Sequence, residues 1–281
     1  MIEYKKDKKL LDIYDNISEF YNWCKNTPRR PDARCESEEA NYSFTHTHSL
    51  EEAYDLMIYG DEELFKQIQA EKRKINVDKI LGNAIRGKRI KQDIVGYQVN
   101  VPSYLVGIPT NMINEETTKK SQKIINLVVN TTVSAGQSTS DIIKCGIYYI
   151  TIIDLLEKSG YRCNLYSMSN FSNSGEIAMQ LLKIKTDREP FNIKKLAFVL
   201  ANPSFQRRIG FKWTESCNCD TEPTHNAYGR PFTDDKKIKE ILKEFTKTDF
   251  LSWSLQVDVE NGLSVEKLVE KLENEGIKLG E

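Results

Sequence analysis

Apolar residues recur near the start at Leu10, Leu11, Tyr14, Ile17, Phe20, Tyr21 and Cys24, steps of three and four that predict a helix over 8–25. Asn26-Thr27-Pro28 ends it, because the residue before a proline is pushed out of the α region. An arginine-rich loop, 29–34, and a short strand, 41–45, are expected next. Ser49-Leu50-Glu51-Glu52 has the form of a capping box opening a helix over 50–59, and Asp61 caps a second helix to about Lys74, forming an α-hairpin. From 92 to 114 the pattern changes. Gly96, Pro102, Gly107 and Pro109 punctuate short apolar runs, predicting extended segments and turns in an arm packed across the next domain.

The pattern changes again at 123. Ile124 to Val129 is a continuous apolar run, Asn130 to Ser134 a hydroxyl-rich turn, Ser138 to Glu157 a helix apolar on nearly every side, and Tyr161 to Tyr166 another strand. A helix apolar all round is buried. Further expected elements are strands at 176–185, 250–259 and 277–279, and helices at 193–202, 204–215, 237–245 and 265–275. Such alternation predicts an α/β fold, a mostly parallel sheet covered by helices. Three regions follow: a helical amino-terminal region (1–91), an extended arm (92–115) and an α/β domain (116–281).

Charge is balanced, 40 basic against 41 acidic residues, so the whole-chain field argues for neither nucleic acid nor an anionic membrane. The start of the chain lacks the apolar core of a signal peptide. The most apolar window, 142–156, contains Lys144 and Asp154 and falls short of the roughly 20 apolar residues a bilayer span needs. Six cysteines in 281 residues are too sparse for a disulfide scaffold. A reducing, cytoplasmic, membrane-free setting is expected.

Ligands in α/β folds lie beyond the carboxyl ends of strands, which directs attention to Asn130-x-Thr132-x-Ser134. Its spacing resembles the metal-ion-dependent adhesion site of von Willebrand factor A domains, Asp-x-Ser-x-Ser. The resemblance implies a von Willebrand A-like (Rossmannoid) fold for 116–281. It also implies a magnesium site formed by Asn130, Thr132 and Ser134, with Asp258 as the remaining carboxylate. Asn130 replaces the charged ligand, and hard cations depend on carboxylate oxygens. The alternative is a capped turn whose hydroxyls bond to its own backbone, a metal-free relic.

The segment 66–93 holds nine basic and three acidic residues. Within it Arg86, Lys88, Arg89 and Lys91 are candidate phosphate contacts, although no aromatic residues interleave for base stacking. Arg207-Arg208 is a candidate anion or ion-pair site, with Glu215 and Asp220 as neighbours. Cys217-x-Cys219 with His225 is short of a zinc site by one ligand and by spacing. His46 and His48 read as surface or capping residues. A nucleophile elbow, a phosphate-cradling loop, a dinucleotide fingerprint and a His-Glu-x-x-His helix are all missing from the sequence, so no catalytic residue is assigned.

Several segments together resemble an uncharacterised family of phage-encoded proteins: Thr27-Pro28-Arg29-Arg30, Phe44-Thr45-x-Thr47 before Glu51-Glu52-Ala53, Asp93-Ile94-Val95-Gly96 with Val101-Pro102 and Gly107-x-Pro109-x-x-Met112, Leu155-Leu156-Glu157-x-x-Gly160-Tyr161, and Asn202-Pro203-Ser204-x-x-Arg207-Arg208. The resemblance implies a viral gene product acting in the host cytoplasm or within the virion. The expected role is a protein-binding or assembly accessory factor without catalytic chemistry. It would engage a partner through residues 130–136 and the loop 217–233. The adhesion-domain resemblance adds a ring-shaped ATPase as the partner class. A nucleic-acid-associated protein using 66–91, or a metal-dependent enzyme, are the alternatives.

Overall fold

A computed structural model describes residues 1–28, 33–36, 38–74, 88–117, 123–134, 136–219 and 230–279. The chain opens as a hairpin, β1 (Ile2–Lys6) and β2 (Lys9–Tyr14), turned at Asp7 and Lys8, both at positive φ. This corrects the expected helix over 8–25, of which only the second part is helical, as α1 (Ile17–Asn26). After a 3-10 turn at Arg34–Glu36 come α2 (Glu38–Thr45), α3 (Leu50–Tyr59) and α4 (Glu62–Lys74). The expected strand at 41–45 is therefore the end of α2. The caps act as expected: Ser49 Oγ accepts from the Glu52 amide and Asp61 Oδ1 from the Leu64 amide. Glu52 bonds one residue further out than a capping box requires, accepting from the His48 amide at 2.6 Å.

The arm forms a small antiparallel sheet in the order β3-β5-β4, from β3 (Lys88–Asp93), β4 (Gln98–Val99) and β5 (Met112–Thr117), with α5 (Val101–Leu105) after β4. Then come β6 (Ile124–Asn130), α6 (Thr139–Lys158), β7 (Arg162–Asn173) and β8 (Glu176–Lys185). α7 (Ile193–Ala201) leads into a π-helix, Phe205–Gly210, and α8 (Phe211–Ser216), where one regular helix was expected. The chain ends with α9 (Asp235–Thr246), β9 (Leu251–Ser254), α10 (Leu255–Glu260) and α11 (Val265–Asn274). The expected strand 250–259 is thus half strand and half helix, and 277–279 is not a strand.

The main sheet has six strands in the order β1-β2-β8-β7-β6-β9. It is mixed, with parallel seams in the majority: β2 with β8, β6 with β7 and β6 with β9 are parallel, whereas β1 with β2 and β7 with β8 are antiparallel. The antiparallel pair β7–β8 follows from a two-residue turn, Ser174-Gly175, with both residues at positive φ. Strand alternation sorts the core. Leu10, Ala178, Phe171, Leu165, Leu127 and Trp253 meet the helices α1, α3, α4, α6, α7, α8 and α11 on one face. Leu11, Met179, Met168 and Val128 meet α9 on the other. Burial of two faces explains why these strands read as continuous apolar runs.

Candidate functional site

The turn after β6 lies beneath a lid. Asn130, Thr131 and Thr132 are 0%, 3% and 4% exposed. Asn130 Oδ1 accepts from the Thr132 amide at 3.1 Å, an Asx turn, while its Nδ2 donates to the Phe232 carbonyl at 3.2 Å. Asn170 of β7 donates to the same carbonyl and accepts from the Phe232 amide, so two asparagines clamp residue 232 over the strand ends. Thr132 Oγ1 accepts from the Asn170 amide at 3.0 Å, and Ser134 Oγ from the Gly136 amide at 3.4 Å. Asn130 Oδ1 and Ser134 thus bond to the turn's own backbone, as in a capped turn, whereas Thr132 and Asn130 Nδ2 bond to backbone of β7 and of residue 232.

Asp258 is held by other groups. Tyr149 OH donates to its Oδ2 at 2.5 Å, and Lys271 forms an ion pair with its Oδ1. Burial, followed by the Asp258 charge and hydrogen bond, pushes the Tyr149 phenol well above its usual range. Among the described residues, no group of three or more His, Cys, Asp or Glu side chains converges on a metal position.

Arg207 and Arg208 serve different ends. Arg208 is 0% exposed and donates to Thr47 Oγ1, the Thr47 carbonyl and the Cys35 carbonyl at 3.2, 2.8 and 3.0 Å. Arg207 lies over the rings of Phe44 and Phe211, 4.9 and 5.0 Å from their centroids. Burial, then Arg34, lowers its guanidinium to about 10. Glu215 accepts from the Arg34 and Cys35 amides, and Asp220 lies outside the described residues.

Sequence reasoning missed a polar row under the π-helix. Asp12 of β2, Gln180 of β8 and Ser169 of β7 are in register across three strands, each at most 3% exposed. Gly210 of the π-helix comes close to Ser169, whose Oγ would lie 3.1 Å from a Cβ at that position. Asp12 is pushed up to about 6, by burial above all, against the bond it accepts from Trp213. π-helical turns concentrate at functional sites. Here the row is sealed from solvent, so no substrate reaches its carboxyl group.

Of the basic segment, Lys72 is paired with Asp154 and Lys74 with Glu71, which removes two cations from any phosphate-binding stripe. Arg86 and Lys79 fall outside the described residues. Lys88, Arg89 and Lys91 lie on β3, where the register sets Arg89 opposite Glu116 and Lys91 opposite Asn114. Cys217 and Cys219 have their sulfurs 3.0 Å apart, while His225 is outside the described residues. His48 stacks on Tyr42 with centroids 4.2 Å apart. A cavity of about 320 Å³ between the amino ends of α1 and α7 is lined by both signs of charge, and its Lys183 is bonded to Asp15 at 3.4 Å, so it makes no cationic cradle.

The arm is where apolar surface meets water. Ile94, Val95, Tyr97, Val99, Val101, Tyr104, Leu105, Val106 and Ile108 are between 41% and 76% exposed. Its backbone is well tied: the Tyr97 and Asn100 amides donate to the Ile113 and Asn111 carbonyls at 3.0 and 2.7 Å, and Asn100 caps α5 at Ser103. Gly96 is required there, since a Cβ would fall 2.2 Å from the Ile113 carbonyl oxygen. The expected arm is therefore an ordered small sheet, with these apolar residues turned outward.

A family model, a domain of unknown function (DUF7192), matches residues 3–275. The chain belongs to the DUF7192 family. The match begins in β1 and ends just after α11, so it takes in the main sheet and the arm together. No curated protein and no solved structure matches the chain. Among the described residues, no helix is long and apolar enough to cross a membrane.

Proposed function

We propose that this DUF7192 chain is a protein-binding or assembly accessory factor without catalytic chemistry of its own, and that the arm at 93–113 is its docking element. One observation carries the reading: nine large apolar side chains exposed within residues 94–108. Folded proteins rarely expose a contiguous apolar patch of more than a few hundred Å² except where something binds. A sheet of three short strands has little core of its own, and covering it with a partner's apolar surface gains the burial it lacks.

The phage setting, in host cytoplasm or virion, rests on the order of the short motifs quoted above and fits an assembly role. The von Willebrand A-like reading is supported by the unit β6–turn–α6–β7, with β6 and β7 parallel. A ring-shaped ATPase is the partner class that this resemblance implies. The lidded rim moves the proposed contact from residues 130–136 to the arm.

The test compares the full chain with a variant carrying Val95→Asp, Leu105→Asp and Val106→Asp in crosslinked pulldowns from the cells that produce it. A partner recovered in stoichiometric amount by the native chain and lost by the variant, at unchanged melting temperature, is the expected result. A partner retained by the variant removes the arm from the reading. No partner at all, with a monomeric native chain, removes the reading itself.

A further inference from the structure

The geometry points to Cys217 and Cys219 as a redox-active dithiol that closes to an intrachain disulfide, a modification site separate from the docking arm. Their sulfurs are 3.0 Å apart, inside ordinary sulfur contact, and both residues are partly exposed where α8 ends. The other four cysteines are buried. Burial pushes the thiols of Cys145 and Cys163 up to about 12 and those of Cys24 and Cys35 higher still, which makes them inert.

The segment between the two sulfurs is fixed from both sides. The Cys217 amide donates to the Trp213 carbonyl at 2.8 Å and its Sγ to the Thr214 carbonyl at 3.5 Å. Asn218 accepts from Lys5 Nζ at 2.9 Å through its carbonyl and donates through Nδ2 to Glu3 at 3.2 Å, tying the loop to edge strand β1. The sulfurs therefore face each other in the reduced chain, and closing the bond shortens their separation by about 1 Å. One residue separates them, so the bridge would remove little loop entropy from the unfolded chain. It suits reversible modification better than a permanent staple.

The oxidant is a low-molecular-weight disulfide such as oxidised glutathione. Cys217 is held protonated, first by the hydrogen bond it shares with Cys219 and then by burial. Cys219 gives its proton to solvent and makes the first attack, forming a mixed disulfide and releasing one glutathione thiolate. Cys217 then gives its proton to solvent and attacks the Cys219 sulfur, displacing the second glutathione. Two protons and two electrons leave the pair, and one oxidised glutathione becomes two reduced ones.

The experiment equilibrates the full native chain in glutathione redox buffers, quenches with acid, alkylates with N-ethylmaleimide and weighs the peptide that holds both cysteines. The expected species loses the mass of two hydrogens and takes up no maleimide. Cys217→Ser is expected to collect glutathione on Cys219, and Cys219→Ser to stay reduced and fully alkylated. Two maleimides on the native peptide in oxidising buffer would overturn the proposal without recourse to any variant. So would glutathione accumulating on Cys217, or zinc copurifying in stoichiometric amount and blocking oxidation.

Discussion

The indole N–H of Trp213 donates to Asp12 Oδ2 at 2.8 Å, joining residues 201 positions apart across a fully enclosed contact. The bond ties the second strand of the chain to α8. It also leaves Asp12 Oδ1 without a donor among the described residues.

That environment sets a pH dependence. Asp12 is raised to about 6 by burial, against about 3.9 in an unfolded chain. Below pH 4 both states hold the proton, so the position is neutral in the balance. Between about pH 4 and 6 the unfolded chain gives up the proton first, so stability falls as pH rises and the loss is complete above the folded value. Asp12→Asn keeps an acceptor for Trp213 and removes the buried charge. The variant should match the native chain near pH 4 and exceed it by roughly 2–3 kcal/mol above pH 7, since each unit is worth about 1.4 kcal/mol. Urea titrations at the two pH values decide the matter; an Asn variant weaker than the native chain at pH 7 refutes it.

Gly146 fixes how closely α6 and α7 approach. A Cβ at this position would fall 2.3 Å from Ala201 Cβ, 2.4 Å from Ala201 Cα and 2.6 Å from the Leu200 carbonyl oxygen. In an open helix Gly→Ala gains about 1 kcal/mol. Overpacking against backbone, which cannot rotate aside, costs about 1–3 kcal/mol and wins here. Gly146→Ala should lower the denaturation midpoint, and adding Ala201→Gly should restore part of the loss. Additive effects of the two changes would show that the helices do not meet at this pair.

The sequence announces the unit around α6 because helix and strands carry their own punctuation: a hydroxyl-rich turn before Thr139, and Gly160, at positive φ, just after the helix. It conceals the opening hairpin for two physical reasons. Asp7 and Lys8 adopt positive φ without glycine, so no turn signal is printed. Leu10, Leu11 and Tyr14 are buried against both faces of a sheet, and short apolar runs of that kind satisfy a helical spacing as well as a strand. At the candidate rim, Asn130 and Thr132 stand out in sequence. The lid over them is Phe232, about a hundred positions away, and local pattern carries no trace of it. The arm's turns were legible from glycine and proline, whereas the exposure of its apolar residues is a property of tertiary placement alone.

Arg208 of the π-helix gives charge-assisted bonds to Thr47, in the loop before α3, and to the Cys35 carbonyl, in the 3-10 turn. Arg208→Met retains bulk but takes a donor from the enclosed Thr47 and Cys35 carbonyls, at a cost of about 1–3 kcal/mol, as when a buried acceptor loses its partner. Arg208→Lys should recover less than half of that, because an ammonium cannot span the guanidinium's fork. Calorimetry of the two variants tests the order; a Met variant within about 1 kcal/mol of native would mean that the network is replaceable.

Thr132 decides between cap and cation. If its hydroxyl serves the Asn170 amide, Thr132→Val strands a buried N–H and costs about 1–3 kcal/mol. Thr132→Ser should cost much less. Both losses should be the same in magnesium and in chelator. A melting temperature of the native chain that climbs with magnesium, and a Val variant that does not respond, would restore the metal reading.

The parallel pairing of β2 with β8 sets Lys9 beside Ile177. On a ribosome, β2 has no parallel neighbour until some 170 further residues have been made. Its apolar side chains have to be sheltered meanwhile by its hairpin mate or by chaperones. The seam between β2 and β8 thus joins two strands whose synthesis is separated by that of the arm, β6 and β7.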